Sequence, residues 1–401
     1  MRPIKRARPR IALALAGGGP LGAIYEIGAL CALEESLSGI DFNGLQHYVG
    51  VSAGGFIAAG LANGLTPREL CAAFICNDAG TDEVFDPAWL LSPAYGEFAR
   101  RARLFPQLAA TALRRAVLGR RSLSHAMEAL GAALPTGLFS NADIHPRLAH
   151  LFSQPGRTND FRKLRTRLTL VATHLDSGDA VPIGRTGWDH VPISRAVQAS
   201  SALPGLFPPV EIDGRFFVDG ALKKTLHASV ALDEGVDLLI CLNPLVPFDA
   251  TAATGIPRII DGGLPAVLSQ TFRSMIHSRM ALGMKHYERA YPGSDILLIE
   301  PDHRDPEMHL ANTFSYGQRR RLAEHAFQQT RALLRDPSGP LATTLARHGV
   351  GLKHKALFDP LRRLLPAPAP RSRTGRALWS LDQALVELSL LLPTQPAEQA
   401  G

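Results

Sequence analysis

The chain has 401 residues, 46% of them hydrophobic and 20% charged, a balance that supplies a core and excludes wholesale disorder, collagen-like repeats and coiled-coil composition. Lys and Arg number 43 against 36 Asp and Glu, a formal charge of +7; that suits nucleic acid, a membrane surface or an acidic substrate without choosing among them. Four cysteines, Cys31, Cys71, Cys76 and Cys241, are too few and too irregularly spaced for a disulfide framework or a zinc knuckle, so buried reduced thiols are expected.

Residues 1 to 10 form a basic arm (Arg2, Lys5, Arg6, Arg8, Arg10). The apolar run behind it, 11 to 16, is short for a signal-peptide core, and no stretch approaches the ~20 apolar residues of a spanning helix. The expectation is a cytoplasmic protein that touches a membrane at most peripherally. Ile-Ala-Leu-Ala-Leu-Ala at 11 to 16 reads as a strand buried on both faces of a parallel sheet. Gly17-Gly18-Gly19-Pro20-Leu21-Gly22 follows, then a helix on Ile24, Ile27, Ala29, Leu30 and Leu33. A second unit runs from a strand at 48 to 51 through Ser52 into a helix from Ala53 to about Asn63, and Thr66-Pro67-Arg68-Glu69 opens the next helix as a capping box.

From 85 to 135 the pattern becomes an inserted helical region. Arg100, Arg101, Arg103, Arg114, Arg115, Arg120 and Arg121 cluster there with Glu97 as the accompanying acid, and Phe105, Leu108, Ala112, Ala116 and Val117 interleave at helical spacing. Two readings stand: a basic amphipathic cap on anionic lipid, or a helix packed on the sheet domain with a solvated arginine face. Strands follow at 162 to 173, 216 to 218, 238 to 242 and 296 to 299, and their alternation with helices indicates α/β architecture. Arg319-Arg320-Arg321 reads as the exposed side of a helix. The catalytic domain is placed at 11–335. A C-terminal extension, 336–401, holds the Pro-Ala linker 366 to 370 and an amphipathic helix on Leu378, Leu381, Leu385 and Leu388.

Three short motifs carry chemistry. Gly50-Val51-Ser52-Ala53-Gly54 fits G-x-S-x-G between a strand and a helix, where a tight turn presents Oγ above a helix N-terminus; an ordinary glycine-rich turn is the alternative. The amides of Gly17, Gly18 and Gly19 suit an anion, here the oxyanion of a tetrahedral intermediate. A nucleotide loop is the rival, although neither the Lys-Ser/Thr end of a Walker loop nor G-x-G-x-x-G is present. Asp219-Gly220-Ala221 follows a short strand, and Asp-Gly alone is also a common turn. Asp176-Ser177-Gly178-Asp179 lacks the ligand run of a calcium loop and reads as a turn.

In this order the motifs resemble the patatin-like phospholipase family: a glycine-rich oxyanion loop, a G-x-S-x-G elbow and a D-G-A/G aspartate. A fourth block, Ala196-Val197-Gln198-Ala199-Ser200-Ser201-Ala202-Leu203-Pro204-Gly205-Leu206-Phe207-Pro208-Pro209-Val210, is similar to the stretch patatins carry before that aspartate. The resemblance covers roughly 11 to 330. It implies a three-layer α/β/α sandwich with a central mostly parallel sheet and a helical insertion. It further implies a Ser52–Asp219 dyad, an oxyanion hole at Gly17, Gly18 and Gly19, and an elbow framed by Gly50 and Gly54. The substrate would be a lipid or other acyl ester, with no metal or organic cofactor. Charge then points to an anionic lipid surface and away from nucleic acid, while oligomeric state stays open.

Members usually carry Arg or Lys where this chain has Leu21. Pro20 has no N–H, so donors must come from Gly17, Gly18, Gly19 or the residue after Ser52. A carboxylate of ordinary pKa is a poor base toward a hydroxyl unless desolvation raises it. A Ser-His-Asp arrangement is the more usual solution, and His174, His190 and His227 lie near the motifs. An acyltransferase or polyester depolymerase on the same dyad, and a non-catalytic lipid-surface protein, are the functional alternatives.

Overall fold

A computed structural model describes residues 9–77, 90–118, 133–252, 258–310, 316–337 and 339–365, with a few isolated positions beside them. Most of the basic arm, Arg120, Arg121, the 366–370 linker and most of the expected terminal helix lie outside the described residues.

The apolar run at 11 to 16 folds as β1 (Ile11–Leu15), buried throughout. It is flanked in parallel by β3 (His47–Val51) and β8 (Leu238–Leu242). Beyond β8 lies β9 (Asp295–Ile299), and beyond β3 lies β4 (Arg167–His174), both parallel to their neighbours. The antiparallel strands β5 (Ala180–Ile183), β6 (Val210–Ile212) and β7 (Arg215–Asp219) complete the eight-stranded sheet, in the order β6-β7-β4-β3-β1-β8-β9 with β5 on β4. A separate ribbon pairs β2 (Leu37–Ser38) with β10 (Gly351–Leu352).

In chain order the helices used below are α1 (Gly19–Ser36), α2 (Ala53–Ala62), α3 (Pro67–Cys71), α4 (Tyr95–Leu118), α5 (Ile144–Leu151), α6 (Ile193–Ser200), α7 (Ser229–Leu232), α8 (Gly263–Ala290), α9 (Pro306–Leu310) and α10 (Tyr316–Arg335). Side chains alternate across β1. Leu13 and Leu15 join a core with α1, α2, α6 and α10, whereas Ala12, Ala14 and Ala16 face α7 and α8. Small residues on the second side let the long helix α8 approach the sheet. On the first side a Cβ at Gly28 would lie 2.5 Å from the Ala323 carbonyl oxygen, so glycine permits α1 and α10 to touch backbone to backbone. The result is the expected three-layer α/β/α sandwich around a mostly parallel sheet. The capping box at α3 forms, with Glu69 N–H donating to Thr66 Oγ1 (3.2 Å) and Thr66 N–H to Glu69 Oε2 (2.8 Å).

The pairing of β4 places the site. Val171 pairs with Val51 of β3 and with Pro182 of β5; the next residue, Ala172, pairs with Val181 of β5 and with Asp219 of β7. A strand residue has only two edges, and β5 occupies one of them at both positions. Strands β3 and β7 therefore share the other edge in succession. Ser52, which follows Val51, and Asp219 consequently meet end to end along one side of β4.

Two expectations are corrected. The described side chains of α4, which end at Ala110, are largely exposed, Phe105 at 52%, so this part of the helix is not packed on the sheet domain. Its base is fixed instead by Glu97, which pairs with Arg100 and Arg101 and accepts from Thr136 N–H. Backbone bonds from Leu138 and Phe139 to the carbonyls of Gly205 and Leu206 add to that anchor. In the arginine run, Arg319 is 1% exposed and only Arg321 points fully outward, paired with Glu307 of α9. Residues 339–365 fold back on the sheet domain through β10 on β2, through Arg331 to the carbonyls of Ala356, Leu357 and Asp359, and through Arg362 to Glu35.

Candidate active site

Ser52 closes β3 and caps α2 with φ 53° and ψ −122°, a conformation L side chains rarely adopt and that costs about 1–3 kcal/mol. The flanking glycines serve close approach rather than positive φ. A Cβ at Gly54 would stand 2.5 Å from the carbonyl oxygens of both Leu15 and Ala16, and one at Gly50 would stand 2.7 Å from Gly55 Cα. Gly54 N–H donates to the Ala16 carbonyl (3.0 Å), stapling the elbow to the end of β1. Gly54→Ala is expected to lower stability by about 3 kcal/mol, read as a shifted midpoint in denaturant unfolding.

The block at 196 to 210 explains itself here. Ser200 Oγ accepts from Ser52 N–H (2.9 Å) and donates to the Val171 carbonyl (2.6 Å), while the Ala202 carbonyl accepts from Asp219 N–H (3.0 Å). One segment thus fixes the backbones of both Ser52 and Asp219. Thr173 Oγ1 adds a bond to the Asp219 carbonyl (3.1 Å). Neither Ser200 nor Thr173 stands out in the sequence as more than a small polar residue. Ser200→Ala leaves the Ser52 amide and the Val171 carbonyl unpaired, with an expected loss of about 1–3 kcal/mol measurable by thermal unfolding.

Asp219 is 2% exposed. Burial pushes its carboxyl up to about 6, against the lowering effect of hydrogen bonds from the Ser52 side chain and the Ala221 amide, the latter at 2.8 Å. The chain then crosses the end of β4, where a Cβ at Gly220 would overlap the Val171 carbonyl and lie 3.1 Å from Val51 Cγ1. This is why glycine follows the aspartate.

The glycine loop completes the cluster. A Cβ on Gly17 would sit 3.1 Å from Ser52 Cβ and 3.3 Å from Ala221 Cβ. Gly18 and Gly19 take φ 152° and 60°. Among the described residues the amides of Gly17, Gly18, Gly19 and Ala53 donate to no protein acceptor. Ser52 lies between the N-termini of α1 and α2, where partial positive charge favours an anion.

The three histidines are engaged elsewhere. His174 Nδ1 is 2.9 Å from Ser177 Oγ, and His190 Nε2 is 2.8 Å from Asp213. His227 donates through Nε2 to the Gly220 carbonyl (3.2 Å), and burial lowers it to about 4, so it is neutral at pH 7. It steadies the turn after Asp219.

A family model, patatin-like phospholipase, matches residues 13–232, more than half of the chain. The chain belongs to the patatin-like phospholipase family. Among solved structures, VipD from Legionella pneumophila is 16% identical over 82% of this chain and 67% of its own, with a TM-score of 0.37. The type III effector ExoU is 17% identical over 98% of this chain and 68% of its own, at a TM-score of 0.29. ExoU of Pseudomonas aeruginosa in complex with SpcU is 18% identical over 85% of this chain and 59% of its own, at 0.30.

As a patatin-like phospholipase the chain departs from the family habit at Leu21, a half-buried apolar side chain in the first turn of α1. The free amides of the loop do not depend on that side chain. On its far side the loop rests on Pro244, whose Cγ lies 2.9 Å from where a Cβ on Gly18 or Gly22 would be. The segment that follows β8 therefore forms one wall of the site.

Proposed function

We propose that this chain is a lipid acyl hydrolase that cleaves carboxylic esters through Ser52 and Asp219. The observation that carries the reading is the strained elbow of Ser52 hydrogen-bonded to a buried, desolvated Asp219. Ser52 Oγ attacks the ester carbonyl carbon as its proton passes to an Asp219 oxygen. The carbonyl oxygen gains charge facing the amides of Gly17, Gly18, Gly19 and Ala53, which need no reorganisation to receive it. Collapse expels the alcohol, which takes the proton back from Asp219. Water then attacks the acyl-serine by the same route and releases the fatty acid.

A carboxyl raised to about 6 is a stronger base than a solvated one and is still ionised at neutral pH. The pKa gap that argues against an aspartate base is thereby narrowed without a histidine. A panel of phospholipids, lysolipids, neutral glycerides and polyesters tests the proposal. Release of free fatty acid from a glycerolipid is the expected result. Transfer of the acyl group to an added alcohol in preference to water, or turnover of polyester alone, would replace the hydrolase reading.

A further inference from the structure

Helix α8 is apolar on two opposite faces. Met280 and Tyr287, with half-buried Met284, turn toward the sheet. At about 100° per residue, Leu264, Leu268, Met275 and Leu282 fall about 120–160° round from Met280 and Phe272 about 80° round, and these five are between 44% and 69% exposed. Ile260, 66% exposed in the turn before the helix, extends the patch. Among the described residues this outer apolar face is uncovered. A contiguous apolar patch of this kind marks an interaction surface.

Its placement and charge narrow the occupant. Gln270 exchanges hydrogen bonds with the backbone of Phe248 (2.7 and 3.1 Å), Arg273 donates to the Val246 carbonyl (3.3 Å), and Arg279 donates to the Leu222 carbonyl (3.2 Å). The first two contacts lie on the segment that walls Gly17 through Leu245, and Leu222 follows Asp219 by one short turn. The apolar half of α8 is therefore held beside the Ser52 site. Toward the C-terminus exposed Arg289 continues the line of Leu264 and Leu282, exposed Lys285 lies about 60° to one side of that line, and exposed Glu288 lies about 60° further round. A second copy fits poorly, since parallel pairing sets cations on cations and antiparallel pairing sets cations on the apolar half. An anionic bilayer offers acyl chains to one half and headgroups to the other.

We propose that α8 is an interfacial docking helix, with residues 264–275 seated in the acyl boundary of an anionic membrane and Lys285 and Arg289 at its headgroups. This rests on the lipid-ester reading of the site, and it assigns surface recognition to α8 in place of the arginine helix α4. The test is flotation of the full chain with phosphatidylcholine vesicles, with and without phosphatidylglycerol. The wild type and Ser52→Ala should bind equally and prefer the anionic vesicles. Combined Leu264→Asp, Leu268→Asp and Phe272→Asp should weaken binding at least ~100-fold, from the loss of three buried apolar side chains, while turnover of a soluble short-chain ester is unchanged. Should that variant not fold, Lys285→Glu with Arg289→Glu carries the test and should lose the preference for anionic vesicles.

Undiminished binding by the triple variant, no wild-type binding to either vesicle, or loss of binding only on neutralising Arg100 and Arg103 of α4 overturns the proposal. So does a wild-type dimer, seen by light scattering, that the triple variant dissociates without any vesicle binding. Vesicle binding lost in the triple variant, from a wild type that hydrolyses no ester, would uphold the docking helix and overturn the catalytic reading.

Discussion

Ser52→Ala is expected to reduce ester hydrolysis by about 10⁴-fold or more, as removal of a nucleophile from a cooperating pair does, while leaving the fold intact. The elbow stays in place because its anchors are backbone contacts: Ser200 to the Ser52 amide, and Gly54 to the Ala16 carbonyl. Only the side-chain bond to Asp219 is lost, about 1 kcal/mol. Ser52→Gly separates strain from chemistry. It should be as inactive as Ser52→Ala yet more stable by about 1 kcal/mol or more, because glycine adopts φ 53° without the steric cost. Initial rates on a soluble ester and parallel unfolding curves check both statements. Equal stability of the Ala and Gly variants would contradict a strained elbow.

Asp219→Asn should cost about 10³-fold or more in turnover and should also stabilise the protein at neutral pH. The sign follows from the shift. The carboxyl titrates at 3.8 in the unfolded chain and at about 6 in the folded one. Below 3.8 it is protonated in both states. As pH rises from there to about 6 the unfolded chain releases the proton first, so stability falls across that window and the deficit then persists. Asparagine removes the charge while its amide oxygen can keep the Ala221 N–H bond. The variant should therefore exceed the wild type at pH 7 by on the order of 1–3 kcal/mol, with the difference vanishing near pH 4. On the proposed mechanism, kcat/KM of the wild type should rise with pH through about 6 as Asp219 ionises. A profile that falls on raising pH through 6 would remove Asp219 from the role of base.

Much of the fold is legible in the chain because it is written in local patterns. The apolar run of β1 reads as a strand buried on both faces, and β1, β3 and β8 each lie within a residue or two of their expected places. Ser52 is legible through the paired glycines. Asp219 is legible only through motif order, since Asp-Gly is an ordinary turn and its meeting with Ser52 depends on β3 and β7 sharing one edge of β4. Ser200 falls in the block at 196 to 210, but its role and that of Thr173 are not legible for the same reason: their partners are backbone groups brought near by pairing.

Other features escape for definable reasons. The long helix α8 shows little periodicity because both faces are apolar, so the pattern that announces a helix with one buried side is absent. Arg319 sits in a run of like charges that reads as solvated, but its stem is buried and its guanidinium lies 3.5 Å from the Phe74 carbonyl. Helix α4 has the spacing of a helix packed on a core. Its base is tied instead to Thr136 through Glu97, a tertiary arrangement with no local signature.

The pairing of Ser52 with Asp219 is tested most directly by the pH dependence of covalent labelling with a fluorophosphonate, mapped by peptide mass spectrometry. A single modified peptide bearing the label on Ser52 is expected, with a labelling rate that rises through about pH 6 and loss of that rise in Asp219→Asn. Label on another residue, no label, or a rate in Asp219→Asn equal to that of the wild type would contradict it.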